Sequence, residues 1–120
     1  MSLAMITLHG IPNCDTVKKA RAWLDAHGVD YRFHDFKKLG APASLIERWA
    51  DAVGWEALLN RRGTTFRGLG DADKSDIDRA KAVRLMEANP SLIKRPVVED
   101  GNGKVTVGFS DDVFGAEWKP

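Results

Sequence analysis

Apolar and polar positions change period several times along this chain, and each change predicts an element. Met5-Ile-Thr-Leu-His9 is short, rich in strand formers and closed by Gly10 and Pro12, which predicts a buried strand. From Asp15 the spacing becomes helical. Val17, Ala20, Leu24 and His27 share one face, Lys18, Lys19, Arg21 and Asp25 fall elsewhere, and Gly28 supplies the stop. Val29 to Asp35 then alternates apolar with polar, the mark of a second strand. Strand, helix and strand at this spacing predict a right-handed crossover with the two strands parallel.

The middle reads as helical. Ser44-Leu-Ile-Glu47 has the form of a capping box opening a helix to about Val53. Gly54-Trp55 breaks that helix, and Glu56 to Leu59 makes a short second piece. After the turn Arg61-Arg62-Gly63, Thr64 to Leu69 predicts another short helix. Ser75-Asp-Ile-Asp78 repeats the capping signature before a helix running to Asn89-Pro90, and Ser91 to Lys94 reads as an extended or single-turn approach to Arg95-Pro96. Pro96 to Glu99, Asp100-Gly-Asn-Gly103 and Lys104 to Val107 predict a hairpin, and Ser110-Asp-Asp112 caps a last helix holding Val113, Phe114 and Trp118. Trp23 and Trp49 fit helix faces, and Trp55 is placed to pack the base of the helical middle. No repeat or linker interrupts this order, so one domain over 1–120 is expected, with a helical insertion at about 41–92.

Composition changes this picture little. Apolar residues make up 43% and charged residues 29% of the 120, and the formal charge of +1 gives no electrostatic reason to expect a nucleic-acid or membrane partner. No apolar run approaches the roughly 20 residues that span a bilayer. The start lacks the basic and apolar regions of a signal peptide, and residues 1–4 before Met5 read as a vector-derived extension. One cysteine closes no intrachain disulfide, so a cytoplasmic setting is expected.

That cysteine is the candidate chemistry. Cys14 follows the Gly10 to Asn13 loop at the first turn of the first helix, where unpaired N–H groups and the helix dipole favour a thiolate. Lys18 and Lys19 lie one turn on and act in the same sense, whereas Asp15 opposes. The alternative is a small buried hydrophobe. Spacing excludes two chemistries. A phosphatase-type loop needs arginine where Ala20 stands, with Arg21 one residue too far, and a dithiol pair needs cysteine where Val17 stands. Cys14 with His9, His27 and His34 shows no metal-ligand spacing, and His27 and His34 read as surface or helix-end residues, so no metal is expected. A working Cys14 must therefore form its disulfide with a thiol from outside the chain.

Three segments carry a wider resemblance: Gly10-Ile-Pro-Asn-Cys14-Asp-Thr, Ile93-Lys-Arg95-Pro96-Val-Val, and Val107-Gly-Phe-Ser110-Asp111. Together they resemble the ArsC/Spx family of thioredoxin-like proteins. Gly54-Trp-Glu-Ala-Leu-Leu-Asn60-Arg-Arg-Gly63 and Tyr31-Arg-Phe-His-Asp35 add marks of its YffB-like branch. The resemblance runs from Met5 to about Phe114. It implies an α/β fold of thioredoxin/glutaredoxin type: a four-stranded mixed sheet with a helical insertion between a βαβ half and a C-terminal ββα half. It implies a cis peptide at Pro96 facing Cys14, with Arg95 as the cation beside the thiolate.

Its functional implication is a glutathione-dependent monothiol reductase or transferase working through a mixed disulfide. Glutathione is then a co-substrate rather than a bound cofactor, and glutathione or glutaredoxin resolves the bond. Asn13, Arg95, Pro96, Ser110 and Asp111 would line the substrate cleft, with Ser110-Asp111 at the γ-glutamyl end or serving as a plain helix cap. Two alternatives stand beside it. One is a regulator of the Spx kind that contacts RNA polymerase without a two-cysteine switch and without touching nucleic acid. The other is a glutaredoxin-coupled arsenate reductase, which requires several fixed donors around the oxyanion. Arg95 matches one of the family's three arginines, and Arg61 and Arg62 are displaced by one and two residues from another.

Overall fold

A computed structural model of the chain describes residues 5–120, so the reading of residues 1–4 lies outside the described residues. Strand β1 (Ile6–Gly10) leads through a short loop into α1 (Asp15–Ala26) and then β2 (Tyr31–Asp35). Helices α2 (Phe36–Leu39), α3 (Ala43–Val53), α4 (Trp55–Leu58), α5 (Thr64–Arg67), α6 (Asp71–Lys74) and α7 (Arg79–Ala88) follow, then a 3-10 turn at Pro90–Leu92. The chain ends in β3 (Val97–Glu99), β4 (Val105–Val107) and α8 (Asp111–Glu117). The chain divides into two compact units. One runs to Phe36 and resumes over Arg95–Pro120, and the other is Lys37–Lys94.

In the first unit the strands form one mixed sheet in the order β2-β1-β3-β4. β1 runs parallel to β2, as the crossover reading requires, and antiparallel to β3, which pairs antiparallel with β4. Alternation along β1 decides the faces. Ile6 and Leu8 join Val17, Ala20, Leu24 of α1 and Phe114 of α8 in the core, with Val98 of β3 beside them. Burying each large apolar side chain there contributes about 1.5–3 kcal/mol. Phe114 stands edge-on to both Trp23 and Phe109, with ring centroids 5.5 and 4.8 Å away. The hairpin turn uses Gly101 and Gly103 at φ 80° and 102°, where any side chain is strained, and Asp100 Oδ1 accepts the Asn102 and Lys104 N–H groups.

In the second unit α3, α4, α7 and the 3-10 turn pack together. Ile46, Trp49, Leu58, Met86, Leu92 and Ile93 are fully buried. The backbone ties Asn60 N–H to Leu92 O and Lys94 N–H to Leu58 O, both at 2.8 Å. Neither capping box forms. Pro42, extended at φ −64°, precedes α3 as its N-cap and leaves Ser44 inside the helix, and the Ala43 N–H is satisfied by Glu87 of α7 instead. The second signature fails because Ser75 ends the unforeseen α6. Asp78 itself caps α7, accepting the Lys81 N–H at 2.9 Å. Among the described residues no helix is long and apolar enough to cross a membrane.

Candidate functional site

The thiol is positioned by the end of β1. Gly10 closes that strand, and a Cβ there would come within 2.8 Å of Val17 Cγ2, inside the fully buried base of α1. The backbone can descend to the helix only because Gly10 has no side chain. Gly10→Ala should therefore cost about 1–3 kcal/mol by overpacking, seen as a lower urea midpoint. A wild-type midpoint would contradict the close approach. After Gly10 the loop tightens: the Cys14 N–H donates to Ile11 O at 3.2 Å, and Cys14 O accepts the first helical N–H, from Lys18, at 2.9 Å. Cys14 is thus the N-cap of α1, with extended φ and ψ and a half-buried side chain.

β3 supplies the other half. The register His9↔Val97 sets Pro96 level with Gly10 at the same end of the sheet. The Arg95–Pro96 peptide is cis, Pro96 is buried, and Pro96 O accepts the Gly108 N–H at 2.9 Å. The Arg95 side chain donates to the Cys14 sulfur. Partial burial, the largest single influence, pushes the thiol up. The Val17 N–H, the Arg95 hydrogen bond, the Thr16 N–H and the Arg95 charge together outweigh it and hold the thiol below its ordinary 9.0. The Cys14 side chain makes no capping hydrogen bond to the helix it opens. Arg95 is the cation that acts on the sulfur. Lys18 and Lys19, assigned that effect by spacing, are exposed and do not enter.

Thr16, Lys19, Trp23, Phe109, Ser110 and Asp111 line an open groove of about 700 Å³ between α1 and the start of α8. Ser110 does cap α8, its Oγ accepting the Val113 N–H at 3.1 Å, while Asp111 stays exposed to the groove. Asn13 is exposed in the loop before Cys14. Cys14, Arg95, Pro96, Ser110 and Asp111 thus all belong to the first unit. Arg61 and Arg62 belong to the second, both exposed. Arg61 stands 5.7 Å from the centroid of the half-buried Trp55 ring, and the Arg62 N–H donates to Asn60 Oδ1. No group of three or more His, Cys, Asp or Glu side chains among the described residues could hold a metal ion.

One cluster escaped the sequence reading. His9 is buried, its Nε2 2.6 Å from Glu99 Oε2 and its Nδ1 2.7 Å from His34 Nδ1. His34 is half-buried, not the surface residue its spacing suggested, whereas His27 does end α1, stacked on Trp23 at 3.8 Å. Polar residues on the second face of each strand were the available signal, but the β1–β3 pairing that brings Glu99 to His9 cannot be read from spacing.

The sequence profile described as the ArsC family matches residues 9–116. The solved structure of the YFFB (PA3664) protein is 52% identical, with a TM-score of 0.89 over 93% of this chain and 97% of that one. That of an arsenate reductase (ArsC) related protein from Brucella melitensis is 49% identical, with a TM-score of 0.76 over 100% and 99%. The global transcriptional regulator Spx of Streptococcus mutans is 32% identical over 90% of this chain and 79% of its own length. The fold is accordingly thioredoxin-like, with four strands and a helical insertion. The matched span holds Cys14, Arg95 and Pro96 alike, and the chain belongs to the ArsC family.

Proposed function

We propose that this protein is a glutathione-dependent monothiol reductase or transferase whose nucleophile is Cys14. The observation that carries the reading is the thiol itself, the single cysteine of the chain, held at a helix start with Arg95 on its sulfur. Such a thiol attacks as thiolate, is ionised at lower pH than an ordinary cysteine, and must borrow its second thiol. In the first step Cys14 attacks the glutathionyl sulfur of a mixed disulfide. A new S–S bond forms, the old one breaks, and the substrate sulfur leaves with the electron pair and takes a proton. Glutathione thiolate then attacks the same glutathionyl sulfur, freeing Cys14 and leaving glutathione disulfide. The sum is RSSG plus GSH giving RSH plus GSSG.

The groove supports this choice of co-substrate. Glutathione carries two carboxylates and an ammonium, and Lys19 and Asp111 offer one charge of each sign beside the apolar faces of Trp23 and Phe109. The test is turnover of a glutathionylated cysteine peptide, with glutathione disulfide formation followed through glutathione reductase. A rate proportional to protein and saturating in peptide is expected, and the uncatalysed rate at micromolar protein would contradict the reading.

A second reading is favoured by the Spx relative: a regulator that docks on a partner protein such as RNA polymerase, with Cys14 structural. Arsenate reduction coupled to glutaredoxin is the third, with Arg95 as the one oxyanion donor beside the thiol. Arsenate-dependent oxidation of glutathione that needs Cys14 would favour it.

A further inference from the structure

Among the described residues of the first unit, three polar ones are buried: His9, Glu99 and Thr106. Thr106 is accounted for by the Trp118 indole N–H, 2.9 Å from its Oγ1. His9 and Glu99 are not explained by packing, because apolar side chains of the same volume would fill the space without desolvating a carboxylate and an imidazole.

With His34 they make one continuous hydrogen-bonded chain. His9 Nε2 lies 2.6 Å from Glu99 Oε2 and its Nδ1 lies 2.7 Å from His34 Nδ1, with the donor at each contact set by the imidazole tautomer. The link therefore crosses three neighbouring strands, β3 to β1 to β2. It lies directly behind the two loops of the site. His9 is the residue before Gly10, from which the backbone runs to Cys14, and its partner in the ladder, Val97, follows Pro96. The β1–β3 ladder has only three residue pairs, Thr7↔Glu99, Leu8↔Val98 and His9↔Val97, so backbone pairing alone holds this alignment with few bonds. A reacting thiol and its donor must be held to well under an ångström.

We propose that the Glu99–His9–His34 chain is a positioning device for the thiol: His9 locks β1 to β3 and so fixes the Cys14 loop against Arg95. The proposal rests on the reading of Cys14 as a nucleophile. His9 touches no substrate and acts through the alignment of the two loops.

The test is the second-order rate of Cys14 alkylation by iodoacetamide from about pH 5 to pH 9.5, with circular dichroism to verify folding. His9→Leu should slow alkylation roughly tenfold near pH 6. The gap should close at the alkaline end, where any thiol is ionised. His9→Gln, whose amide can still donate to Glu99, should recover most of the acid-side rate. General loosening would instead expose the thiol and raise the rate at every pH. A folded His9→Leu with the wild-type profile, or no recovery in His9→Gln, overturns the proposal. If His9→Leu does not fold, Glu99→Met breaks the same link from β3 and is held to the same outcomes. A wild-type thiol no faster than free cysteine overturns both the proposal and the reading beneath it.

Discussion

Cys14→Ser will abolish glutathione transfer, lowering turnover of a glutathionylated peptide about a thousandfold or more, to the uncatalysed rate. A serine hydroxyl at the same N-cap keeps the loop geometry and can accept the Thr16 and Val17 N–H groups better than sulfur does. It does not ionise, however, and an S–S bond has no analogue through oxygen. Because Cys14 is half-buried at the rim of the core, the exchange should change stability by no more than about 0.5–1 kcal/mol. Loss of activity with an unchanged melting curve would assign the role to chemistry rather than folding. Residual turnover above a tenth of wild type would contradict Cys14 as the nucleophile.

Arg95→Met should have the second largest effect, and its pH dependence is its signature. Methionine keeps the apolar stem but removes the hydrogen bond and the charge that hold the thiol below 9.0. Near pH 6 the variant has far less thiolate than wild type, so alkylation should slow roughly tenfold. At about pH 9.5 both are ionised and the rates converge. Stability follows the opposite sense. A depressed acid stabilises the fold above its unfolded pKa and loses that contribution as pH falls through the folded value. The stability cost of losing Arg95 through the thiol should therefore grow toward alkaline pH, while its kinetic cost grows toward acid. Equal slowing of Arg95→Met at both ends of the range would mean that the arginine shapes the cleft without tuning the thiol.

Much of this was legible in the sequence because it is local. The period change at Asp15, the Gly-Asn-Gly turn and the lone cysteine before a helix each need only neighbouring residues to be read. The pairing of Cys14 with Arg95, some eighty residues apart, came from resemblance, since no spacing argument brings a loop after β1 to a loop before β3. What could not be read is equally instructive. Both expected capping boxes lost to stronger local competitors, Pro42 and Asp78. The lysines beside Cys14 were assigned an electrostatic role by proximity in sequence, yet their side chains leave the helix toward solvent. His9, His34 and Glu99 each looked like an ordinary strand residue. Only the order β2-β1-β3 makes them one chain.

The central claim is that one activated thiol works with glutathione. Its most direct test is the intact mass of the protein after incubation with glutathione disulfide and again after excess glutathione. The account predicts a single glutathione on wild type, complete removal on reduction, and no adduct on Cys14→Ser. A wild-type protein that stays unmodified while its thiol is free, or an adduct that glutathione does not remove, would contradict it.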